Sequence, residues 1–229
     1  MAKSKKEKAI TLICYVLMRI IAGLILALSV YKIIVEKIDE LESRYFVIAF
    51  NSLLLLGVSF LPSIIEHRWK IDIPEFMELL FIMFCIGSLL IGEIIGIYQR
   101  NSWWDGIMHM LSGSLIAIFT FSLLRMIIEN NNLKFSPLFT VFLVFCITST
   151  VGVMWEIIEY LADTFTGSNM QRYFNDYTQE PFIGQAALKD TMLDFILNSI
   201  GAFIVCVIGF IDLKITKITL IKQVKKLNK

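Results

Sequence analysis

The chain has 229 residues, of which 57% are hydrophobic and 18% are charged, and its formal net charge at pH 7 is +1. Soluble domains of this size carry about a quarter of charged residues, so the composition favours a membrane protein. We therefore expect neither a soluble enzyme nor a nucleic-acid-binding protein.

Six apolar runs are long enough to cross a bilayer, whose hydrocarbon core of about 30 Å needs about 20 apolar residues per helix. In chain order they cover about residues 10–35, 45–65, 76–98, 106–128, 137–162 and 191–213. They use nearly the whole chain, which leaves no room for a soluble domain of about 50 residues or more. The sequence thus predicts an all-α polytopic bundle of six transmembrane helices in a single domain, residues 1–229.

Basic residues alternate between the connections, and this bias predicts the orientation in the membrane. They concentrate in the leading segment around Lys6, in the second connection at Arg68, in the fourth connection at Lys134, and in the tail around Lys226. Lysine and arginine near helix ends stay on the cytoplasmic side. Both termini are therefore predicted to be cytoplasmic.

Two helices contain local features that need an explanation. Arg19 lies about 15 Å into the first helix at 1.5 Å per residue, and that helix offers it no obvious partner. Gly92 and Gly96 form a GxxxG pattern in the third helix, next to Glu93, and this pattern permits close helix packing. The roles of Arg19 and Glu93 stay open at this point.

The fifth connection, residues 164–189, is the longest, and it is predicted to lie outside. Its aromatic residues Tyr173, Phe174, Tyr177 and Phe182 argue against a disordered linker. Loops of this length are usually functional or disordered. We expect the segment to fold back over the outer ends of the helices.

Ionisable and amide side chains recur inside the last four predicted helices, where a charged group is costly and marks a site or a pairing. They are Glu93, Asp105, His109, Glu156, Glu159, Asp163, Asp190, Asp194 and Asn198. Within each of the last three helices, the spacings of one or two turns place them on one face. The predicted topology puts these faces at a similar depth near the outer surface. The sequence therefore predicts one outward-facing site of carboxylates and histidine.

Some of these residues also have a purely structural explanation. Asp105 closes the capping-box pattern Ser102-Trp103-Trp104-Asp105 at the start of the fourth helix, where the two tryptophans suit the membrane interface. Asp190 is predicted to open the sixth helix, where the helix dipole favours an anion. For these two residues, capping and binding are equally good explanations.

Glu156, Glu159 and Asp163 are harder to explain, because they crowd the C-terminal end of the fifth helix, where the dipole disfavours negative charge. A divalent cation is the simplest way to offset their repulsion in a low dielectric. Protonation, or pairing with Arg19, is the alternative.

We predict a site for a divalent metal ion, Mg, Mn, Zn or Ca, because carboxylates with one imidazole suit these ions. The candidate ligands are Asp105, His109, Glu156, Asp190 and Asp194. Glu159 is a candidate general base, and Asn198 is a candidate orienting group. The cysteines lie within apolar runs and lack metal-type spacing, which argues against a thiolate site.

The order of these residues also resembles a known family. The matching positions are Trp104-Asp105, His109, Trp155-Glu156, Glu159, Gly184-Gln185, Asp190-Thr191, Asp194, Asn198 and Gly201-Ala202. They resemble the YjdF-like family of bacterial inner-membrane proteins over about the C-terminal half of the chain, and more distantly VanZ-like proteins, some of which are linked to glycopeptide resistance. The resemblance implies a multi-pass protein of the bacterial inner membrane whose matched residues form one site. It does not supply a reaction.

Three functions fit the sequence. The leading hypothesis is a metal-dependent hydrolase that acts on a lipid-linked or cell-envelope substrate. Membrane lipids are the expected partners of its apolar surface. A cation or small-solute transporter is the second, and a structural membrane subunit is the third. The nearly apolar inner halves of the last three helices disfavour a continuous transport path. The oligomeric state stays open.

Overall fold

The computed structural model describes residues 5–37, 44–175, 178–214 and 225–226. In chain order, α1 is Lys5–Val35, α2 is Arg44–Val58, α3 is Leu61–Trp69, β1 is Ile71–Asp72, α4 is Glu75–Cys85, a π-helix follows at Ile86–Ile94, α5 is Ser102–Asn130, α6 is Pro137–Thr166, α7 is Gln185–Lys214 and β2 is Lys225–Lys226. The two short strands pair antiparallel, with Ile71 opposite Lys226. The architecture is otherwise helical in the part of the chain described.

Six spans are long and apolar enough to cross a membrane. They are Lys8–Val35, Arg44–Trp69, Glu75–Ile94, Ser102–Asn130, Pro137–Phe165 and Gln185–Lys214. Large apolar side chains such as Leu28, Phe139 and Phe203 are exposed on these spans. A surface of this kind suits lipid rather than water. The predicted polytopic bundle of six helices is confirmed.

The chain folds as two compact units. The first comprises Met1–Met108 with Gln223–Lys229, and the second comprises His109–Lys222. The boundary falls within α5, so the first turns of that helix belong to the first unit.

The second predicted helix is interrupted in the first unit. The sequence predicted one helix over residues 45–65, whereas α2 ends at Val58 and α3 begins at Leu61. Pro62 lies in the first turn of α3, and because proline has no amide hydrogen it cannot continue the hydrogen bonds of α2. The prediction of one unbroken helix was wrong at this proline.

Arg19 of α1 finds its partners at this break. Its Nε donates to Ser59 Oγ at 2.9 Å, and a terminal nitrogen donates to the Ser59 carbonyl at 2.8 Å. The guanidinium also lies 4.0 Å from the ring centroid of Phe60. Arg19 thus caps the Ser59 carbonyl at the break after α2. Its role in this unit is structural.

The third predicted helix, residues 76–98, ends early as the π-helix Ile86–Ile94. Gly96 has a φ of +84°, and the Arg44 guanidinium donates to the Ile94 carbonyl at 2.8 Å. The Tyr98 ring lies directly against Gly92, where any Cβ would clash. Gly96 therefore serves helix termination, and Gly92 leaves the space that an aromatic ring occupies.

Glycines allow very close approach of α5 and α7 in the second unit. A Cβ on Gly113 would collide with the backbone carbonyl of Asn198, and a Cβ on Gly201 would collide with the carbonyl of Met110. Only glycine fits where the backbones of two helices meet in this way. The crossing fixes the position of α7, and with it the position of Asp194, one turn before Asn198.

Helix α6 starts and ends with recognisable caps. Ser136 accepts a hydrogen bond from the Phe139 amide, Pro137 opens the helix as predicted, and Gly167, with φ of +68°, ends it. At the next helix the sequence placed the start near residue 191, whereas α7 begins at Gln185. The stretch between contains alanine, leucine and lysine, which are strong helix formers, so α7 starts before its apolar run. Asp190 therefore lies in the second turn of α7 and does not open it.

Candidate metal centre

Three helices of the second unit place acidic and imidazole side chains together. Helix α5 contributes His109, α6 contributes Glu156 and Glu159, and α7 contributes Asp194. The exposed fractions are 4% for Glu156, 6% for Glu159 and 3% for Asp194, and 11% for the His109 side chain. Four ionisable groups are thus removed from solvent at one place in the bundle.

The distances within this group suit a single ion. One ligand atom each from His109, Glu156 and Glu159 can be chosen so that all three lie within 4.8 Å of one another. The His109 Nε2 atom lies 3.9 Å from Asp194 Oδ2. Since protein–metal bonds are about 2.0–2.6 Å long, ligands on opposite sides of an ion lie about 4–5 Å apart. The sequence-predicted residues His109, Glu156 and Asp194 are therefore brought together.

Glu159 belongs to the same group, although the sequence suggested a separate role as general base. Its Oε1 accepts a hydrogen bond of 2.7 Å from the Trp155 indole nitrogen, one turn earlier on α6. The Trp155 residue is 48% exposed, on a helix surface that suits lipid. The hydrogen bond therefore holds the buried Glu159 carboxylate from the lipid-facing surface of α6. It orients Glu159 toward His109 and Glu156.

Asn198, the predicted orienting group, is buried one turn after Asp194 on α7. A Cβ on Gly152 of α6 would lie 2.9 Å from Asn198 Oδ1. The absence of a side chain at Gly152 thus leaves the space that the amide occupies. Because Gly152 lies one turn before Glu156 on α6, the amide is on the side of the group that faces away from the fifth connection.

The fifth connection folds back onto α6 in its described part, as predicted, whereas its position outside the membrane stays a prediction. The Asp163 carboxylate accepts hydrogen bonds from Ser168 Oγ at 2.7 Å, from the Met170 amide at 2.7 Å and from the Gln171 amide at 2.9 Å. A backbone bridge joins Phe174 to Pro181. Tyr177, one of the aromatic residues expected to anchor the segment, lies outside the described residues.

These hydrogen bonds explain one of the three crowded carboxylates of α6. Asp163 is 6% exposed and lies near the C-terminal end of the helix, where the dipole disfavours an anion. Donors from the loop compensate for this, because hydrogen bonds to a charged acceptor are strong. The loop therefore stabilises Asp163, so the predicted cation is expected at Glu156 and Glu159.

Gln171 is a contact residue that the sequence did not reveal. Its side-chain amide nitrogen lies 3.3 Å from Glu156 Oε2, 3.3 Å from the Glu156 carbonyl and 3.2 Å from Thr191 Oγ1. A loop residue has no helical periodicity, so its spacing from Glu156 carries no signal of the contact. The length of the loop and its aromatic content were the only indications.

The other two predicted ligands are Asp190 and Asp105. Asp190 faces the loop residue Arg172, with Asp190 Oδ1 3.7 Å from Arg172 Nε, so a basic side chain balances its charge. Asp105 lies in the first turn of α5, in the first unit, one turn before His109. In that unit, Glu93 interacts electrostatically with Arg44 and Asp105. Metal binding by Asp105 and Asp190 stays a prediction.

The chain matches known proteins over most of its length. Residues 17–214 match a family described as "Predicted membrane protein (DUF2238)". An uncharacterized protein of Thermotoga maritima is 26% identical over 203 residues, which is 89% of each chain. No solved structure matches the chain significantly. With a match that spans nearly all of its transmembrane helices, the chain belongs to the DUF2238 family of predicted membrane proteins.

Proposed function

We propose that the second unit binds a divalent metal ion through His109, Glu156 and Glu159, with Asp194 beside them. The observation that carries the proposal is the set of three ligand atoms, from two helices, within 4.8 Å of one another. Acidic and histidine side chains at membrane depth are rare and mark functional sites. An ion-binding site requires side chains from separate helices to meet at one place. Residues with separate structural roles need not meet in this way.

The charge of the group supports a cation. Three carboxylates surround one imidazole, and all four side chains are nearly buried. Like charges this close repel strongly in a low dielectric. A divalent ion offsets this repulsion and gives the carboxylate oxygens a common partner, as in carboxylate-rich metal sites.

The donor set narrows the identity of the ion. Mg²⁺ and Ca²⁺ prefer oxygen ligands, whereas an imidazole among carboxylates suits Mn²⁺ or Zn²⁺. Because His109 is at the centre of the group, we expect Mn²⁺ or Zn²⁺ to bind more tightly than Mg²⁺ or Ca²⁺. Asn198, one turn after Asp194, is placed to orient a bound water or substrate oxygen.

We further propose that the site serves hydrolysis of a lipid-linked or cell-envelope substrate in the bacterial inner membrane. A bound ion supplies a Lewis acid that polarises a phosphoryl or acyl oxygen and activates water. Glu156 lies about 15 Å from the end of α6 at Thr166 and about 28 Å from its start at Pro137, at 1.5 Å per residue, so the site is displaced toward the C-terminal end of α6. The half-exposed Trp155, bonded to Glu159, marks a side from which a lipid substrate can approach.

Membership of the DUF2238 family supports our proposal that the chain is a YjdF-like protein. The more distant likeness to VanZ-like proteins contributes no argument to the reaction.

Cation transport is the weaker candidate. Between Asn198 and Asp212, the buried face of α7 consists of Gly201, Ala202, Val205, Cys206 and Gly209. A path for a cation along this face would lack ligands, which favours a site that opens to one side.

The first test measures metal content and its effect on stability. We expect the purified protein in detergent to contain about one ion per chain and to lose thermal stability on chelation, because a ligand that binds only the folded state stabilises it by about 2.7 kcal/mol at a hundred times its Kd. Glu156→Gln and Asp194→Asn each remove a charged ligand and nearly preserve shape. Both variants should lose the bound metal and the response to chelator.

Glu180→Gln is the matched control, because Glu180 is exposed in the loop and the substitution removes the same charge. It should retain metal and chelator sensitivity. Wild-type protein without stoichiometric metal, and with a melting temperature that no added divalent ion raises, would contradict the metal site. A protonated carboxylate network would then explain the group.

A further inference from the structure

We propose that Gln171 is a positioning residue that orients Glu156 for metal binding, an inference that rests on the proposed metal site. Gln171 lies in the loop between α6 and α7 and donates to the Glu156 carboxylate at 3.3 Å. It also donates to Thr191 of α7 at 3.2 Å. One side chain of the loop thus joins the two helices that carry the glutamate and aspartate ligands.

The orientation of the Gln171 amide follows from its neighbours. A carbonyl oxygen can only accept a hydrogen bond, and so can an ionised carboxylate. Because both acceptors belong to Glu156, the amide nitrogen and not the amide oxygen must face it. The contact therefore holds the Glu156 carboxylate at its Oε2 atom.

The backbone of Gln171 is itself held in place. Its amide donates to Asp163 Oδ2 at 2.9 Å, and the preceding Met170 amide donates to Asp163 Oδ1 at 2.7 Å. Asp163 is two helical turns beyond Glu156 on α6. A single helix therefore carries both the anchor of the loop and the ligand that the loop orients, which fixes the distance between them.

This arrangement is typical of the groups that surround metal ligands. A carboxylate with one oxygen held by a donor presents the other in a defined direction, so less motion is lost when an ion binds. Removal of such a group usually lowers metal affinity by about 10- to 100-fold. Ser168, Met170 and Gln171 thus belong to one loop segment, which is anchored at Asp163 and holds Glu156.

The test uses Gln171→Leu, which keeps the approximate volume and removes the donor. Full-length protein in detergent is titrated with Mn²⁺, and the bound ion is observed by electron paramagnetic resonance. We expect the substitution to weaken Mn²⁺ binding about 10- to 100-fold and to alter the spectrum of the bound ion. Gln99→Leu, the same change at an exposed position between the π-helix and α5 in the first unit, should leave affinity and spectrum as in wild type.

The melting temperature of the metal-free proteins separates positioning from loop stability. If Gln171→Leu melts at a lower temperature but binds Mn²⁺ with the affinity and spectrum of wild type, Gln171 only tethers the loop and the proposal is overturned. Wild-type affinity, spectrum and melting temperature in the variant overturn it as well. Wild-type protein that binds no Mn²⁺, Zn²⁺ or other divalent ion overturns the metal site itself, a result that the titration of wild type reveals before any variant is compared.

Discussion

Carboxylates of the second unit differ in what balances their charge. Asp163 accepts three hydrogen bonds from the loop, and Asp190 faces Arg172. Asp212 binds Arg125 at 2.6 Å near the other end of α7. Glu156 and Glu159 are instead grouped around His109. Residue by residue, the surroundings separate carboxylates that stabilise the fold from those suited to a ligand.

The Arg125–Asp212 ion pair gives a prediction at this scale. The Asp212 side chain is 1% exposed, so Asp212→Leu leaves the Arg125 charge without its buried partner. Breaking a buried pair costs about 3–5 kcal/mol, whereas apolar replacement of both members is often close to neutral. We expect thermal unfolding to show Arg125→Leu with Asp212→Leu more stable than Asp212→Leu alone. Additive losses in the double variant would show that the two side chains do not stabilise each other.

Small residues and a helix break help to position several of the helices. Gly113 and Gly201 let α5 and α7 meet backbone to backbone. In the first unit, the proline break between α2 and α3 creates the carbonyl that Arg19 binds. A lipid environment explains this, because apolar side chains gain little from leaving lipid for another apolar surface, so close packing and hydrogen bonds decide the arrangement.

The crossing of α5 and α7 gives a prediction at the scale of elements. Gly201→Ala places a methyl group against the Met110 carbonyl, which must move the two helices apart. Overpacking of this kind costs about 1–3 kcal/mol, and thermal unfolding should show the loss. The shift also displaces Asp194, so metal affinity should fall.

Gly23→Ala is the matched control in α1, where an added Cβ meets no atom within 4 Å. Alanine is a better helix former than glycine by about 1 kcal/mol, so this variant should be as stable as wild type or slightly more stable. Equal effects of the two substitutions would contradict the close crossing.

At the scale of the whole molecule, the described residues contain six spans, so the segments before the first span and after the last span are expected on the same side of the membrane. The basic bias of the connections predicts that this side is the cytoplasm. The loop between α6 and α7, and the proposed metal site next to it, would then face outward. A substrate would reach the site from the outer leaflet.

Cysteine labelling tests this orientation in a variant in which the four native cysteines are replaced. With a membrane-impermeant maleimide, Asn175→Cys should react in intact cells, and Lys226→Cys should react only after the membrane is permeabilised. Reaction of position 226 with protection of position 175 would reverse the orientation. The site would then face the cytoplasm, and the proposed substrate would have to reach it from the inner leaflet.

Apolar run length and charge determined the number of spans, because a bilayer of fixed thickness requires helices of a fixed minimum length. Helical spacing likewise determined that Glu156 shares a face with Glu159 and that Asp194 shares a face with Asn198. Both features depend only on local geometry. The order of residues along the chain is therefore enough to specify them.

The tertiary structure decided which polar residues meet. Nothing local to Arg19 indicates Ser59, nothing local to Arg125 indicates Asp212, and nothing local to Glu156 indicates Gln171. These partners are 15 to 87 residues apart in the chain, and the packing of the helices and the path of the loop bring them together. The residues at which the helices and the π-helix end also depended on contacts between distant parts of the chain, because the side chain that caps a helix end often comes from another element.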